Sequence, residues 1–126
     1  MRDAGQTGVL VVDDEADMRV LVQAIITVAN EGLTVVGEAA TGAEAIERWR
    51  ETKPDVILLD HRMPGMSGLE AAERILAEEP EQWIVLFSAF LDEATVNRAS
   101  ELGIRAWLAK DEVSAIPEAL WRLSDP

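Results

Sequence analysis

The feature that most constrains the fold is the alternation of five short apolar runs with five longer segments whose apolar residues recur at helical spacing. Short runs rich in Val, Ile and Leu at every position are typical of strands buried on both faces. Strands that alternate with helices predict a parallel sheet covered by helices on both sides, which is an α/β three-layer sandwich. The predicted strands span residues 9–12, 33–36, 55–60, 83–87 and 104–108.

Turn and capping residues delimit the predicted helices. The inward side of the first helix is predicted to carry Met18, Leu21, Val22, Ile25, Ile26 and Ala29. Gly32 is a typical stop for that helix. Thr41, followed three residues later by Glu44, predicts a capping box at the start of the second helix. The fourth helix is predicted over residues 92–102, and Pro117 lies in the early part of the last helix.

The chain has the size and composition of one domain, with 126 residues of which 48% are hydrophobic. Residues 1–8 are predicted to form a flexible tail and residues 9–124 the folded domain, with no output domain in this chain. The net charge of −13 argues against direct nucleic-acid binding, which needs clustered Lys and Arg to neutralise phosphates. Because no apolar run is long enough to span a bilayer, we expect no membrane contact and a cytoplasmic location.

Acidic and other polar side chains follow the ends of four predicted strands. Asp13 and Asp14 follow the first strand, and Asp60 ends the third. Ser88 follows the fourth strand, and Lys110 comes shortly after the fifth. In sheets of this kind, ligands bind beyond the carboxyl ends of the strands. We therefore expect these five side chains to meet at one edge of the sheet.

The chemistry of this set of groups is restrictive. Three carboxylates within a few ångströms repel one another unless they share protons or hold a cation. Oxygen ligands suit a hard ion, and an incomplete set of carboxylates suits Mg²⁺, with Mn²⁺ as an alternative. Lys110 and Ser88 can then bind the oxygens of a phosphoryl group in transfer. Asp60, at the end of its strand, is the best placed nucleophile.

Each of these residues alone has a simpler interpretation. Asp13 and Asp14 alone would be the acidic N-terminus of a helix. Ser88 alone would be a loop serine, and Lys110 alone a solvated lysine. The functional interpretation depends on their combination, because four separate strand ends would each have to match by accident.

Four segments carry a resemblance to a known family. They are VLVVDDE (9–15), VILLDHRMPGMSGLE (56–70), IVLFSA (84–89) and GIRAWLAKD (103–111). Together they resemble the receiver domains of two-component response regulators over residues 8–124, and the pair Lys110-Asp111 is similar to the NarL/FixJ-type branch. The resemblance implies a flavodoxin-like (βα)5 fold with strand order 2-1-3-4-5. It leaves open whether the Lys110–Asp111 peptide bond is cis or trans.

The resemblance implies a metal site and a phosphoacceptor. Asp13, Asp14 and Asp60 would hold Mg²⁺ together with the backbone carbonyl of Arg62, and Asp60 would accept the phosphoryl group. The implied donor is a phosphohistidine on a sensor histidine kinase or a histidine phosphotransfer domain. The domain would catalyse its own phosphorylation and slow dephosphorylation, as a regulatory domain rather than an enzyme. We further hypothesise that the Arg62 guanidinium lies over the phosphoryl group and alters the access of water.

The resemblance also implies a switch. Ser88 and Lys110 would bind phosphoryl oxygens, and Trp107 occupies the aromatic switch position, where the ring turns inward as Ser88 is drawn to the phosphate. The implied output is a changed surface on the fourth helix, fifth strand and fifth helix, or a homodimer, in signal transduction that includes transcription regulation. Tryptophan is bulkier than the usual Tyr or Phe, so a purely structural role for Trp107 is the alternative.

Other functions would require a different sequence. A receiver that docks partners independently of phosphorylation is the alternative within the fold, and the complete set of site residues argues against it. A haloacid-dehalogenase-like phosphatase would need a second acid at the position of Arg62. A nucleotide-binding or flavin-binding module would need a phosphate-cradling loop where Asp13, Asp14 and Glu15 stand.

Overall fold

The computed structural model describes residues 6–29 and 32–124. Its five strands are β1 (Thr7–Val12), β2 (Leu33–Ala39), β3 (Val56–Leu59), β4 (Trp83–Ser88) and β5 (Ala106–Ala109). Its helices are α1 (Ala16–Ala29), α2 (Gly42–Thr52), α3 (Gly68–Glu78), α4 (Glu93–Leu102) and α5 (Ile116–Ser124), with a 3-10 helix over Lys110–Ala115 before α5. The described residues contain no helix that is both long and apolar enough to cross a bilayer.

The five strands form one parallel sheet in the order β2-β1-β3-β4-β5, which confirms the flavodoxin-like topology. Successive side chains of the central strands point to opposite faces, so each strand contributes to two apolar layers. One layer packs against α2, α3 and α4, and the other packs against α1 and α5. The three-layer sandwich predicted from the alternating pattern is therefore confirmed.

The first strand begins earlier than the sequence predicts. Thr7 and Gly8, which were expected to end a flexible tail, lie in β1 and pair with Leu33 and Thr34 of β2. The backbone N–H of Gly8 also donates a hydrogen bond to Asp55 Oδ2 at 2.6 Å. Backbone pairing extends the strand where the side chains give no apolar pattern. Residues 1–5 of the predicted tail lie outside the described residues.

The starts of the helices agree with the sequence prediction more closely than the buried faces do. The Thr41 side chain accepts a hydrogen bond from the Glu44 N–H at 3.0 Å, while the Glu44 side chain accepts one from Ala40 rather than from Thr41. In α1 only part of the predicted stripe is inward, because Val22 is 1% exposed and Leu21 is 42% exposed. The helix thus buries a narrower face than the apolar pattern suggests.

The segment that follows β5 turns into a 3-10 helix before α5 begins. Pro117 is the second residue of α5, where its missing N–H removes no hydrogen bond within the helix. All peptide bonds among the described residues are trans, and this includes the bond between Lys110 and Asp111.

Candidate functional site

Backbone pairing carries two acidic residues past the ends of their strands to the same edge of the sheet. The N–H of Asp13 donates to Ala39 O at 3.0 Å, and the N–H of Asp60 donates to Val12 O at 3.0 Å. Asp13 is 1% exposed and Asp60 is 2% exposed, so both carboxylates are taken out of water. Ser88, the last residue of β4, is fully buried.

Arg19 of α1 holds the backbone at the first strand end. One terminal nitrogen of its guanidinium donates to Asp13 O at 2.7 Å, and its Nε pairs with Glu38 Oε1 at 2.7 Å. These bonds tie α1, the end of β1 and β2 together around Asp13. Arg19 was not predicted as a site residue, because the sequence does not indicate which group an arginine in a helix contacts.

Lys110 lies between the two buried carboxylates. Its Nζ is 2.8 Å from Asp13 Oδ2 and 3.4 Å from Asp60 Oδ2, and the lysine side chain is only 13% exposed. Glu15 Oε1 is a weaker partner at 3.8 Å. The structure thus brings Asp13, Asp60 and Lys110 from three different strand ends into direct contact, as the sequence predicts.

A second grouping of acids surrounds the end of β1. One carboxylate oxygen from each of Asp13, Asp14 and Glu15 lies within 4.8 Å of the others. Asp13 is buried and the other two are exposed, so this group opens to solvent. Glu15 was not among the predicted metal ligands. Its proximity follows from the chain turning into α1, with Glu15 N–H donating to Asp13 Oδ1 at 2.9 Å.

The electrostatics of the site disfavour an ionised Asp60. Burial is the largest cause and repulsion from Asp13 the next, and together they raise the pKa of Asp60 from 3.8 to about 7 even though Lys110 acts in the opposite direction. Burial lowers the pKa of Lys110, but its pairing with Asp13 and Asp60 more than offsets this, so that the pKa is raised. Lys110 is therefore charged, while the acceptor carboxylate needs more positive charge than one lysine provides.

Two oxygens at this edge have unused capacity for a cation. Asp13 Oδ2 and Asp60 Oδ2 are buried, and one ammonium group, that of Lys110, faces both of them at 2.8 and 3.4 Å. A single positive charge does not balance two buried carboxylates, so this edge can take up a further cation or a proton. An oxygen-only set with several open positions has the chemistry that Mg²⁺ prefers. The residues present therefore fit a hard divalent cation.

The loop after β3 is fixed tightly against the acceptor. A Cβ atom at Gly68 would overlap the backbone oxygen of Asp60, and the Gly68 N–H donates to His61 O at 2.8 Å. The side chain of Arg62 is turned towards Phe90, with its guanidinium carbon 5.3 Å from the ring centroid. Participation of the Arg62 backbone carbonyl in a metal site stays a prediction.

The two predicted switch residues differ in their surroundings. Ser88 Oγ donates to Phe90 O at 3.2 Å and accepts from Phe90 N–H at 3.3 Å, so its hydroxyl is engaged by the loop that follows β4. Trp107 is 39% exposed and lines a groove between β5 and α5. Its inward movement stays a prediction. Phe90 was not singled out in the sequence, although an aromatic residue two positions after a strand-end serine was a usable indication.

Residues 9–120 match the family model described as the response regulator receiver domain. The chain is 39% identical over 117 residues to the chemotaxis protein CheY of Thermotoga maritima, an alignment that covers 92% of this chain and 96% of that protein. Among solved structures it is similar to the response regulator domain of Thermotoga maritima CheB, with a TM-score of 0.83, 34% identity and coverage of 94% and 93% of the two chains. It is also similar to the receiver domain of NarL from Mycobacterium tuberculosis, with a TM-score of 0.81, 34% identity and coverage of 92% and 97%.

Chemotaxis and NarL-type regulators thus both occur among the bacterial relatives. Receiver domains are regulatory signalling domains of two-component systems, which bind Mg²⁺ in an acidic pocket and interact with kinases and phosphotransfer partners. The residues matched by the family model include the acidic group of Asp13, Asp14 and Glu15. The family model covers nearly the whole described chain, so this protein belongs to the response regulator receiver domain family.

Proposed function

We propose that Asp60 accepts a phosphoryl group from a histidine kinase or a histidine phosphotransfer domain in a Mg²⁺-dependent reaction. The observation that carries this proposal is the placement of Lys110 between two buried carboxylates from different strands. A lysine that only stabilises the fold through an ion pair needs one acid beside it. A second buried carboxylate beside the same lysine is ionised at neutral pH only with further positive charge, and a site that binds Mg²⁺ and a phosphoryl group would use that charge.

The transfer itself requires little beyond positioning and charge neutralisation. An ionised oxygen of Asp60 attacks phosphorus, an O–P bond forms and the P–N bond to the donor imidazole breaks. The electron pair of that bond returns to the ring nitrogen, and the imidazole leaves as a neutral base that carries the proton already present on its other nitrogen. Asp13 and Asp14, together with Asp60 and the Arg62 carbonyl, would hold Mg²⁺, which neutralises the phosphoryl oxygens. Lys110, whose ammonium lies beside Asp60, would add a second positive charge that stabilises the same developing charge.

Ser88 and α4 support the proposed output. If Ser88 Oγ donates to a phosphoryl oxygen, its hydrogen bond to Phe90 O is lost. The loop so released leads directly into α4, in which Ala99 is the one fully buried residue. A helix held by so little buried surface is displaced at low cost. This supports a phosphorylation-dependent change on the surface of α4, β5 and α5, with Trp107 on its rim, or a homodimer formed through that surface.

Intact-protein mass spectrometry tests the proposal directly. The protein is incubated with acetyl phosphate with and without Mg²⁺, and the expected result is the gain of one phosphoryl group that requires the metal and is absent from Asp60→Asn. Asp55→Asn, which removes an acid at the other end of β3, is the matched control and should still be modified. Persistent failure to gain the group would instead favour a receiver that docks its partners without phosphorylation.

A further inference from the structure

Phe90 contacts both flanks of the proposed phosphoacceptor. It lies in the loop between β4 and α4, and its side chain is 53% exposed. Its backbone N–H and carbonyl both hydrogen-bond to Ser88 Oγ, at 3.3 and 3.2 Å. Its ring lies under the guanidinium of Arg62, and Arg62 follows Asp60 by two positions in the chain. One exposed aromatic residue therefore joins the groups on either side of the acceptor.

The position of Arg62 is further defined by the start of α4. Asp92 caps that helix, and the pKa of Asp92 is lowered first by its hydrogen bond with the Thr95 side chain, next by that with the Thr95 backbone N–H, and to a smaller extent by the charge of Arg62. The guanidinium is thus held on the side of Phe90 and the α4 N-terminus. Among the described residues, Lys110 and not Arg62 forms the ion pair with Asp60.

We propose that Phe90 is a positioning residue that holds the Arg62 guanidinium away from the acceptor until a phosphoryl group is present. The inference rests on the proposed function of Asp60. A phosphoryl group adds a charge of roughly −1.5 to −2, which attracts the guanidinium more strongly than a neutral ring does. Ser88 has one hydroxyl proton, so it cannot donate to Phe90 O and to a phosphoryl oxygen together. The hydrogen bond that Ser88 donates to Phe90 O and the contact of the Phe90 ring with Arg62 are therefore given up in the same event, while Ser88 Oγ can still accept from the Phe90 N–H.

The proposal has a direct spectroscopic test. A guanidinium over an aromatic ring experiences its ring current, so the Arg62 Nε–H proton resonance should lie upfield in the free protein and move downfield when beryllium fluoride and Mg²⁺ are added as a phosphoryl mimic. Phe90→Leu should lack the upfield shift even in the free protein, whereas Phe90→Tyr, which keeps an aromatic ring, should retain it. An Arg62 resonance that is the same in the wild type and in Phe90→Leu, or that stays upfield with the mimic bound, overturns the proposal.

Kinetics provide an independent readout. An Arg62 that is no longer held by the ring is available to attract an anionic donor, so Phe90→Leu should be phosphorylated by acetyl phosphate about two- to fivefold faster than the wild type, the range expected for an exposed cation–π pair. In an Arg62→Gln background the same Phe90 substitution should have no effect. An equal acceleration in both backgrounds would mean that Phe90 acts through the loop alone, and would refute the pairing.

Failure of the underlying function gives a different result. If Asp60 is not a phosphoacceptor, the wild type gains no phosphoryl group, and the resonances of Lys110 do not change when beryllium fluoride and Mg²⁺ are added. The inference about Phe90 is then refuted together with the proposed function. A wild type that is phosphorylated normally but shows no dependence of Arg62 on Phe90 refutes the inference alone.

Discussion

Gly68 packs against the backbone of Asp60 so closely that no other residue fits there without displacing the acceptor. An added Cβ would overlap the Asp60 oxygen and lie 2.8 Å from the Cα of His61. The first residue of α3 thus sets the backbone position of the proposed phosphoacceptor, and the Ser67–Glu70 capping box fixes the start of that helix.

We therefore expect Gly68→Ala to lower the free energy of unfolding by about 1–3 kcal/mol, because the clash is with backbone rather than with a movable side chain. Phosphorylation by acetyl phosphate should fall as well, since Asp60 is displaced. Urea unfolding and mass spectrometry measure the two effects. Gly65→Asn is the comparison variant: nothing lies within 4 Å of an added Cβ, so its cost is limited to the positive φ of 76°, which asparagine tolerates better than most residues. A Gly68 variant that is no less stable than the Gly65 variant would contradict this account.

The raised pKa of Asp60 predicts a pH dependence of stability in the absence of metal. The folded state holds its proton up to about pH 7, whereas the unfolded chain releases it near pH 3.8, so stability decreases as the pH rises through that window. Asp60→Asn removes this dependence and should be more stable than the wild type by about 2 kcal/mol at pH 8, with a gain that disappears near pH 4.

Chemical unfolding at several pH values in the presence of a chelator measures this difference. Asp17→Asn, on the exposed side of α1, changes the net charge equally and should show no such trend. Saturating Mg²⁺ should reduce the advantage of Asp60→Asn, because the cation then neutralises the wild-type carboxylate. A gain that is the same at every pH would refute the assignment of the effect to Asp60 ionisation.

Replacement of Lys110 should be costly in a way that metal relieves. Lys110→Gln leaves Asp13 and Asp60 buried without a cation, and we expect a loss of about 3 kcal/mol in chelated buffer. Added Mg²⁺ should recover part of this loss while phosphorylation stays reduced by roughly 100-fold, as for loss of one preorganised charge. Lys110→Arg keeps the charge and should retain more stability. Equal losses with and without Mg²⁺ would disprove the shared neutralisation.

The shallow burial of α4 predicts fast hydrogen exchange. Ala99 is the one fully buried residue of α4, whereas Gly68, Leu69, Ala71, Ala72, Ile75 and Leu76 are buried in α3. Backbone amides of α4 should therefore exchange at least tenfold faster than those of α3, about 1.4 kcal/mol of local opening free energy. Exchange measured by mass spectrometry on peptides of the two helices decides this. Equal protection would show that α4 is held by contacts other than side-chain burial.

Much of the fold was accessible from the sequence because buried strands and capped helices leave periodic patterns. The acids at the strand ends were accessible for a related reason, since residues such as Asp13 and Asp60 interrupt those patterns at the point where a parallel sheet binds ligands. Lys110 was found in the same way.

The missed features depend on how separate elements meet in space. Arg19 joins the end of β1 to Glu38 of β2, and Phe90 reaches Arg62 between two loops, so the sequence gives no spacing that predicts either contact. The exposure of Leu21 follows from the orientation of α1 on the sheet, which an apolar pattern alone does not define.

The ammonium group shared by two buried acids has a consequence for how the protein matures. The Lys110 ammonium is part of the chain and is present as soon as the chain folds, so the edge that carries Asp13 and Asp60 can form without a metal ion. In the proposed reaction, loading with a divalent ion would then be a reversible event on a folded protein, and a shortage of that ion would stop phosphorylation while leaving the architecture intact.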